Sequence, residues 1–212
     1  MRSTFPSIRQ SRINAVMVSD MNKHENRRVR MTKRLMKDAL LELLEKEELV
    51  NISVTAICKT ADVHRSTFYD YYSDPADLLR EIEQDFLDRI PVPPPMMDPN
   101  DQNMIIEASA AFFDYVKENA KTVRILFSGS SESSFSARMV DFLCSGYIPV
   151  SDDTDDTTAR FIRLYIANGT VGMMREWINA GFPVSSRRLA EMMYFLSRKI
   201  SSQEIGGFSS FR

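Results

Sequence analysis

The most regular pattern of apolar and polar positions lies in residues 52–72, and it predicts two short helices joined by a tight corner. The first helix runs from an N-cap at Ser53 to Ala61, because its apolar residues recur at spacings of three and four. Asp62 favours a corner, since a short polar side chain tolerates turn geometry. A second helix opens at His64 with a polar first turn. The pattern predicts a helix-turn-helix, whose second helix offers its first side chains to base edges in a major groove.

Two further apolar stripes flank this pair and complete a compact unit. The stripe in Lys33–Glu47 predicts a first helix with Thr32 as its cap, and the basic segment before it is expected to form an arm along DNA. The segment Asp74–Asp77 supplies an N-cap, a proline for the first helical position and a capping-box acid. It predicts a fourth helix that reaches about Ile90.

The four prolines in the segment 91–95 (PVPPP) forbid a continued helix and favour a stiff, extended spacer, so we expect a domain boundary there. Beyond it the apolar spacing predicts five more helices, with Asp155 or Asp156 and later Ser185 as caps. These helices are predicted at 103–119, 122–127, 135–147, 159–180 and 187 to about 201. A serine-rich loop is expected at 128–134.

The predicted fold class is all-α, with an N-terminal three-helix helix-turn-helix DNA-binding domain and a C-terminal helical domain. The predicted organisation is a disordered extension at 1–22, the helix-turn-helix domain at 23–90, a Pro-rich linker at 91–99, the C-terminal helical domain at 100–203, and a tail at 204–212. An over-long start, with Met17 or Met21 as the true first residue, is an alternative for the extension.

The charge distribution strengthens the DNA-binding interpretation. The formal net charge is −2, but seven lysine and arginine residues lie between Lys23 and Lys37 against the single acid Glu25. A charge run by itself is usually a solvated face. Beside a helix-turn-helix it indicates an electrostatic contact with DNA, because the local distribution matters more than the sum.

Composition argues against several other classes of protein. No apolar run of 18 residues is present, so no membrane partner is expected. Cys58 and Cys144 lie in apolar patterns and are expected to be buried thiols in a cytoplasmic protein. With two histidines and no glycine-rich phosphate loop, the sequence predicts no catalytic residue, no metal site, no cofactor and no enzyme activity.

Three motifs resemble the DNA-binding domain of the TetR (tetracycline-repressor) family of transcriptional regulators. They are ISVTAIC, TADVHRSTFYDYY and SDPADLL, within residues 31–90. More loosely, YIANGTVGMMREWINAGFPVSSRRLAEMM is similar to the effector and dimerisation domain of one branch of that family, common in Firmicutes. The resemblance implies that residues 100–203 form a helical ligand-binding and dimerisation domain. Many family members have a lysine where this chain has Pro75, which puts one phosphate contact in doubt.

The candidate DNA contacts follow from the helix-turn-helix and the basic segment. The base-reading candidates are His64, Arg65, Ser66 and Thr67. The backbone-contacting candidates are Arg27, Arg28, Arg30, Lys33, Ser53, Thr55, Tyr69 and Tyr71. Guanidinium and hydroxyl groups suit phosphate contact, which sets docking position without reading sequence.

The second domain carries two further candidate sites. The family resemblance implies an effector cavity, for which the candidates are Phe112, Phe113, Phe127, Phe142, Tyr165 and Met173. Aromatic residues at helical spacing fill a core more often than a pocket. Small residues in the middle of one long helix would let a partner approach, and the resemblance implies the same pairing. The interface candidates are Gly169, Gly172, Trp177, Leu189, Met193 and Leu196, with an intrachain core as the alternative for both stripes.

Two functions remain in view. The first is a homodimeric, sequence-specific DNA-binding transcriptional regulator, as a repressor that a small-molecule effector of unknown identity releases from a palindromic double-stranded operator. The second is an adaptor of the same architecture that binds another protein and binds DNA weakly or not at all. The acidic surroundings of the helix-turn-helix and the proline at position 75 motivate the second.

Overall fold

The computed structural model describes residues 27–91, 101–128, 132–145, 148, 150 and 154–201. Over these residues the regular secondary structure consists of helices joined by turns and short connections, with one 3₁₀ turn at Leu49–Asn51 and no strand, which confirms the all-α prediction. The helices are α1 Arg27–Leu44, α2 Val54–Ala61, α3 Arg65–Tyr69, α4 Pro75–Asp88, α5 Gln102–Glu118, α6 Ala120–Leu126, α7 Glu132–Cys144, α8 Asp156–Asn179 and α9 Ser186–Ser201.

The chain divides by its contacts into two compact units, and the dividing point lies inside α4, between Ile82 and Glu83. The predicted extension at 1–22, the tail at 204–212 and the linker apart from Pro91 lie outside the described residues. The predicted domain limits therefore stay predictions.

The first unit has the predicted corner between α2 and α3. The Ser53 side chain accepts a hydrogen bond from Ala56 N at 3.1 Å and caps α2. Asp62 ends α2 in the left-handed region with φ 52°. Phe68 in α3 is fully buried and Tyr72 is nearly so, as their four-residue spacing predicts. The helix-turn-helix is thus built as its sequence pattern indicated.

The predicted start of the first helix at Lys33 was wrong, because α1 already includes Arg27–Arg30, which were expected to form an arm before it. The chain is already helical at Arg27. Thr32 is not a cap, because its Oγ1 donates to Arg28 O at 2.9 Å from inside the helix. Residues 27–31 contain neither glycine nor proline, and arginine and methionine are good helix formers. At its other end α1 stops at Leu44, three residues before the predicted Glu47.

The start of α4 has the predicted reciprocal cap. Asp77 N donates to Asp74 Oδ1 at 2.7 Å, and Ser73 N donates to Asp77 Oδ2 at 3.0 Å. Pro75 occupies the first helical position, where its missing N–H costs nothing. The hydrogen bond from Ser73 lowers the pKa of Asp77 despite a small opposing effect of burial.

The second unit consists of the end of α4 and helices α5–α9, with α5 packed along α9 and α7 against α8. Phe113 and Phe135 are fully buried. Asp155 and Ser185 cap α8 and α9 as predicted, through bonds from Thr158 N at 3.0 Å and Arg188 N at 3.1 Å. Helix α7 already begins at Glu132, inside the predicted serine-rich loop. Within the described part of the chain, every helix is too short or too polar to cross a membrane.

Candidate nucleic-acid interface

The first turn of α3 is the candidate base-reading surface. His64, Arg65 and Ser66 are exposed and Thr67 is half-buried. The same short helix is anchored from beneath by Phe68, which is 0% exposed. His64 and the first turn of α3 therefore place polar side chains at the surface while one aromatic ring fixes the helix to the core. This is the arrangement that the sequence predicted for these four residues.

Arg65 and Tyr69 are in contact on the outer surface of α3. The Cζ atom of Arg65 lies 6.0 Å from the centre of the Tyr69 ring. The neighbouring Tyr69 side chain raises the pKa of Arg65 above its ordinary value. Tyr69 is 53% exposed, and its ring meets that of Phe68 edge to face at 5.7 Å. The guanidinium thus lies beside an exposed aromatic ring on the outer side of α3.

Lys33 makes its contacts inside the first unit. Its Nζ lies 3.3 Å from Glu81 Oε2, and Lys37 Nζ lies 2.7 Å from Glu81 Oε1. Lys33 Nζ also lies 5.6 Å from the ring centres of both Tyr71 and Tyr72. This geometry favours a role in joining α1 to α4 over the predicted phosphate contact. Sequence reasoning missed Glu81, because its partners lie 48 and 44 residues earlier and no local spacing links them.

Burial alone would raise the pKa of Glu81. The hydrogen bonds and positive charges of Lys37 and Lys33 outweigh that effect, and the pKa of Glu81 is lowered overall. The carboxylate is therefore held in its charged form at neutral pH.

The other predicted backbone contacts are accessible. Arg27, Arg28 and Arg30 are exposed along the first turn of α1, and Ser53 and Thr55 are exposed at the start of α2. Ser53 already uses its hydroxyl oxygen as the cap acceptor, although the same group can still donate to a phosphate. Tyr71 is half-buried beside Lys33.

The predicted effector-pocket residues, all in the second unit, differ in how far their side chains are exposed. Phe112, Phe113 and Phe127 are buried in aromatic contacts, and Phe142 and Met173 are half-buried. Tyr165 is 67% exposed, so its side chain is not part of the buried interior of this chain. Periodicity placed Tyr165 on the same helix as buried residues but did not show on which side of α8 it lies.

The predicted interface residues also differ in how far they are exposed. Trp177 is 3% exposed, packs edge to face against Phe113 and donates from Nε1 to Val184 O at 2.9 Å. Leu189 is buried as well, so both belong to the intrachain core. Gly169 and Gly172 lie open, since a Cβ at either would meet no described atom within 4 Å. Met193 is half-buried and Leu196 is exposed.

Three apolar residues that the candidate list omitted are exposed on α8 and α9. Phe161 is 66% exposed and Phe195 is 53% exposed, and Met192 is also exposed. Together with Tyr165 and Leu196 they give α8 and α9 five large, exposed apolar side chains, a set that we call the α8–α9 face. The signal that could have found Phe161 is its spacing of four from Tyr165 and of eight from Gly169.

In the described ranges, no group of three or more histidine, cysteine, aspartate or glutamate side chains is arranged to hold a metal ion. Cys58 is a free, buried thiol, and burial raises its pKa. The exposed side chains at the start of α1 and in the first turn of α3 offer positive charge and hydrogen bonding.

Known proteins resemble this chain in its C-terminal region and in its fold. Residues 104–199 match a TetR-type family model described as "Transcriptional regulator C-terminal region". No curated protein is detectably similar in sequence.

Solved structures share the fold over most of their length. A TetR transcriptional regulator from Streptococcus agalactiae aligns over 86% of this chain and 98% of its own, with a TM-score of 0.64 and 18% identity. A TetR-family regulator from Syntrophomonas wolfei, described as putative in its name, covers 80% and 94%, with a TM-score of 0.59 and 18% identity. The dihydroxyacetone kinase operon activator DhaS covers 80% and 96%, with a TM-score of 0.55 and 19% identity. The family resemblance seen in the sequence is confirmed, while its Firmicutes-type branch stays a prediction.

Proposed function

We propose that this chain, a member of the TetR family of transcriptional regulators by its fold and its C-terminal region, is a homodimeric, sequence-specific DNA-binding repressor that a small-molecule effector releases. In this proposal two copies of α3 enter successive major grooves of a palindromic operator, about 34–36 Å apart.

The observation that carries the proposal is the exposed first turn of α3 above a buried anchor. Arg65 has an exposed guanidinium that can pair with guanine at two points, and Ser66 and Thr67 can bond to other base edges. Arg27, Arg28 and Arg30 add positive charge on α1 in the same unit. In the proposal these arginines and the hydroxyl groups of Thr55 and Tyr71 contact phosphates, whereas Lys33 braces the domain.

The α8–α9 face supports the homodimer. Large apolar side chains that share one surface of a monomer are unusual unless something covers them. Gly169 and Gly172 lie on the same side of α8 as Phe161 and Tyr165, and they leave room for a partner's backbone. Trp177 and Leu189 support this surface from within the chain and do not contact the partner in this proposal.

The effector is proposed to bind in the second unit among aromatic side chains. Phe112, Phe113, Phe127, Phe142 and Met173 remain the candidates, because they supply apolar surface from α5, α7 and α8 and from the end of α6. The chemistry of these side chains fits an apolar ligand. Tyr165 is left out of this set and assigned to the dimer.

Selection of bound fragments from genomic DNA, followed by gel-shift titration over a salt series, tests the function. We expect one recurrent palindromic sequence, bound much more tightly than unrelated duplex, with an affinity that falls steeply as salt rises. Absence of any preferred sequence at low salt would refute the proposal.

The alternative is a protein-binding adaptor with weak or no direct DNA binding. Pro75 occupies a position where many family members have a lysine, and Lys33 and Lys37 are paired with Glu81. A pull-down from nuclease-treated cell extract, with the purified chain as bait, separates the adaptor from the DNA-binding regulator. A stable heteromeric complex, together with no shift of any DNA fragment, would favour the adaptor.

A further inference from the structure

We infer that Asp70 is a specificity-determining residue of the proposed DNA interface, and that its carboxylate accepts a hydrogen bond from the exocyclic amine of a cytosine in the major groove. The inference rests on the proposed function and deepens it at the same surface. Asp70 directly follows α3 and is exposed. It was not among the residues that the sequence pattern proposed for base reading.

The backbone places Asp70 on the outer side of α3. Its φ of −67° and ψ of −22° are helical, and its N–H donates to Ser66 O at 3.0 Å. The turn continues to Tyr72 N, which donates to Phe68 O at 2.9 Å. Each residue of a helix is rotated by about 100° from the one before, and Asp70 is two residues away from both of these buried rings. It therefore stands opposite the side that packs on the core.

The same rotation places Asp70 next to the base-reading candidates. Ser66 lies four residues before it and Thr67 three residues before it, so the three share the outer side of this segment. A rise of about 1.5 Å per residue puts Asp70 about 6 Å further along the helix axis than Ser66. A helix that enters a groove with Ser66 and Thr67 against base edges therefore also brings the carboxylate to a neighbouring base pair.

A carboxylate in a groove of DNA is unfavourable unless it meets a hydrogen-bond donor, because phosphates and most base-edge groups repel an anion. Among the described residues, none forms an ion pair or a hydrogen bond with the Asp70 carboxylate. The major-groove donors are the amines of cytosine and adenine. Adenine sets its N7 acceptor beside its amine, whereas cytosine presents the amine alone, so cytosine is the base that this carboxylate fits.

Specificity of this kind arises largely by rejection of the wrong sequence. The carboxylate weakens binding wherever no cytosine amine is within reach, so it lowers affinity for unrelated duplex more than affinity for the operator. Arg65 acts in the opposite sense, because its positive charge favours every duplex and its donors add a pairing with guanine. Removal of Asp70 and removal of Arg65 should therefore change binding to unrelated duplex in opposite directions.

Asp70→Asn keeps the size of the side chain and removes its charge. Fragment selection with this variant should give an operator changed at one base pair, where adenine replaces cytosine, because an amide pairs with adenine at two points. In gel-shift titrations, discrimination in favour of cytosine at that base pair should fall by at least about fivefold. Affinity for unrelated duplex should rise by about threefold to tenfold. Asp70→Ala should show no preference at the same base pair.

Asp62→Asn is the matched control. It makes the same change at another exposed acid of the first unit, at the corner between α2 and α3, and asparagine tolerates the left-handed backbone there. Its loss of charge strengthens binding to every duplex alike, so the selected sequence should be that of the wild type. Urea unfolding of Asp70→Asn should also match the wild type, which excludes misfolding as the cause of a changed base preference.

The inference is overturned if Asp70→Asn selects the wild-type sequence with unchanged discrimination at every base pair. A uniform gain in affinity would then assign Asp70 a purely electrostatic effect. Wild-type protein without any preferred DNA sequence would refute the proposed function, and this inference with it. The two failures are distinguishable, because only the first leaves the wild-type operator in place.

Discussion

Arg65 has the most specific role of any single residue in the proposed interface. Its guanidinium is exposed and charged and lies beside Tyr69, and two of its donors can meet the acceptors of one guanine. Neighbouring His64 occupies the N-cap position of α3 without a capping bond from its side chain. Its imidazole is therefore available to DNA.

Arg65→Ala should cost about 1–3 kcal/mol of operator binding and relax specificity at one base pair. The measurement is a gel-shift series on operators that carry single base-pair changes. Arg160→Ala, which removes the same charge from an exposed position on α8, is the control and should leave binding unchanged. Equal weakening of Arg65→Ala on every sequence would reassign Arg65 to the phosphate backbone.

Glu81 is a residue whose role the sequence could not reveal, and its charge state gives a pH-dependent prediction. Folding lowers its pKa, so its contribution to stability is fully present above its unfolded pKa, at about pH 4.3, and is lost as the pH falls through the folded value. Glu81→Gln should lower the free energy of unfolding by about 1–2 kcal/mol at pH 7. The difference from wild type should shrink below about pH 4.

Urea unfolding followed by circular dichroism at pH 7 and pH 3 measures this difference. Glu42→Gln is a suitable control, because Glu42 and Lys46 form an exposed pair four residues apart, at 2.9 Å. Such pairs contribute at most about 0.5 kcal/mol. A constant deficit for Glu81→Gln at both pH values would show that its charge is not the cause.

At the scale of elements, helix ends were the most predictable feature. Ser53, Asp74, Asp155 and Ser185 each accept the backbone hydrogen bond that their side chains suggested. A cap depends on residues two or three positions away, so local sequence contains most of the required information. Asp101 caps α5 in the same way but was not singled out.

Two features were harder to predict. One is where a helix starts when no helix-breaking residue precedes it, and the other is which side of a long helix is buried. Thr32 has the chemistry of a cap, yet α1 continues through it because nothing in residues 27–31 stops a helix. Trp177 and Tyr165 belong to one periodic pattern, yet one is buried and the other exposed. Apolar spacing identifies a helix but does not say whether a side chain meets its own chain or a second copy.

Helix α7 is joined to the end of α4 by a buried ion pair in the second unit. Arg138 lies 2.7 Å from Glu83, whose side chain is 1% exposed. Arg138→Met should lower the free energy of unfolding of this unit by about 2–4 kcal/mol, because a buried carboxylate loses a charged partner.

Trp177 is the only tryptophan in the chain and is buried in the second unit, so its fluorescence during urea unfolding measures this change. Arg160→Met, at an exposed position of α8, is the control for loss of an arginine. The double variant with Glu83→Gln should recover part of the loss. A double variant as unstable as the sum of both single changes would argue against a direct pair.

At the scale of the whole molecule, the proposed regulator needs two copies. The double variant Tyr165→Glu and Phe195→Glu places two charges on the α8–α9 face and should convert a dimer into a monomer of 24.4 kDa. Analytical ultracentrifugation measures the mass, and circular dichroism checks that the helices persist. Ala111→Glu, on an exposed position of α5, is the control and should remain dimeric. A double variant that still dimerises would place the contact elsewhere.

The helical start of α1 has a consequence for how quickly and at what entropic cost the protein engages a duplex. A disordered cationic segment loses conformational entropy when it binds a polyanion, whereas a preformed helix has already lost that entropy on folding. Arg27, Arg30 and Arg34 succeed one another along α1 at a rise of about 1.5 Å per residue, so they reach the polyanion as a rigid row of fixed spacing. Docking by this row should therefore proceed without a coil-to-helix transition, and the backbone NMR chemical shifts of residues 27–44 should report the same helix in the free and bound states.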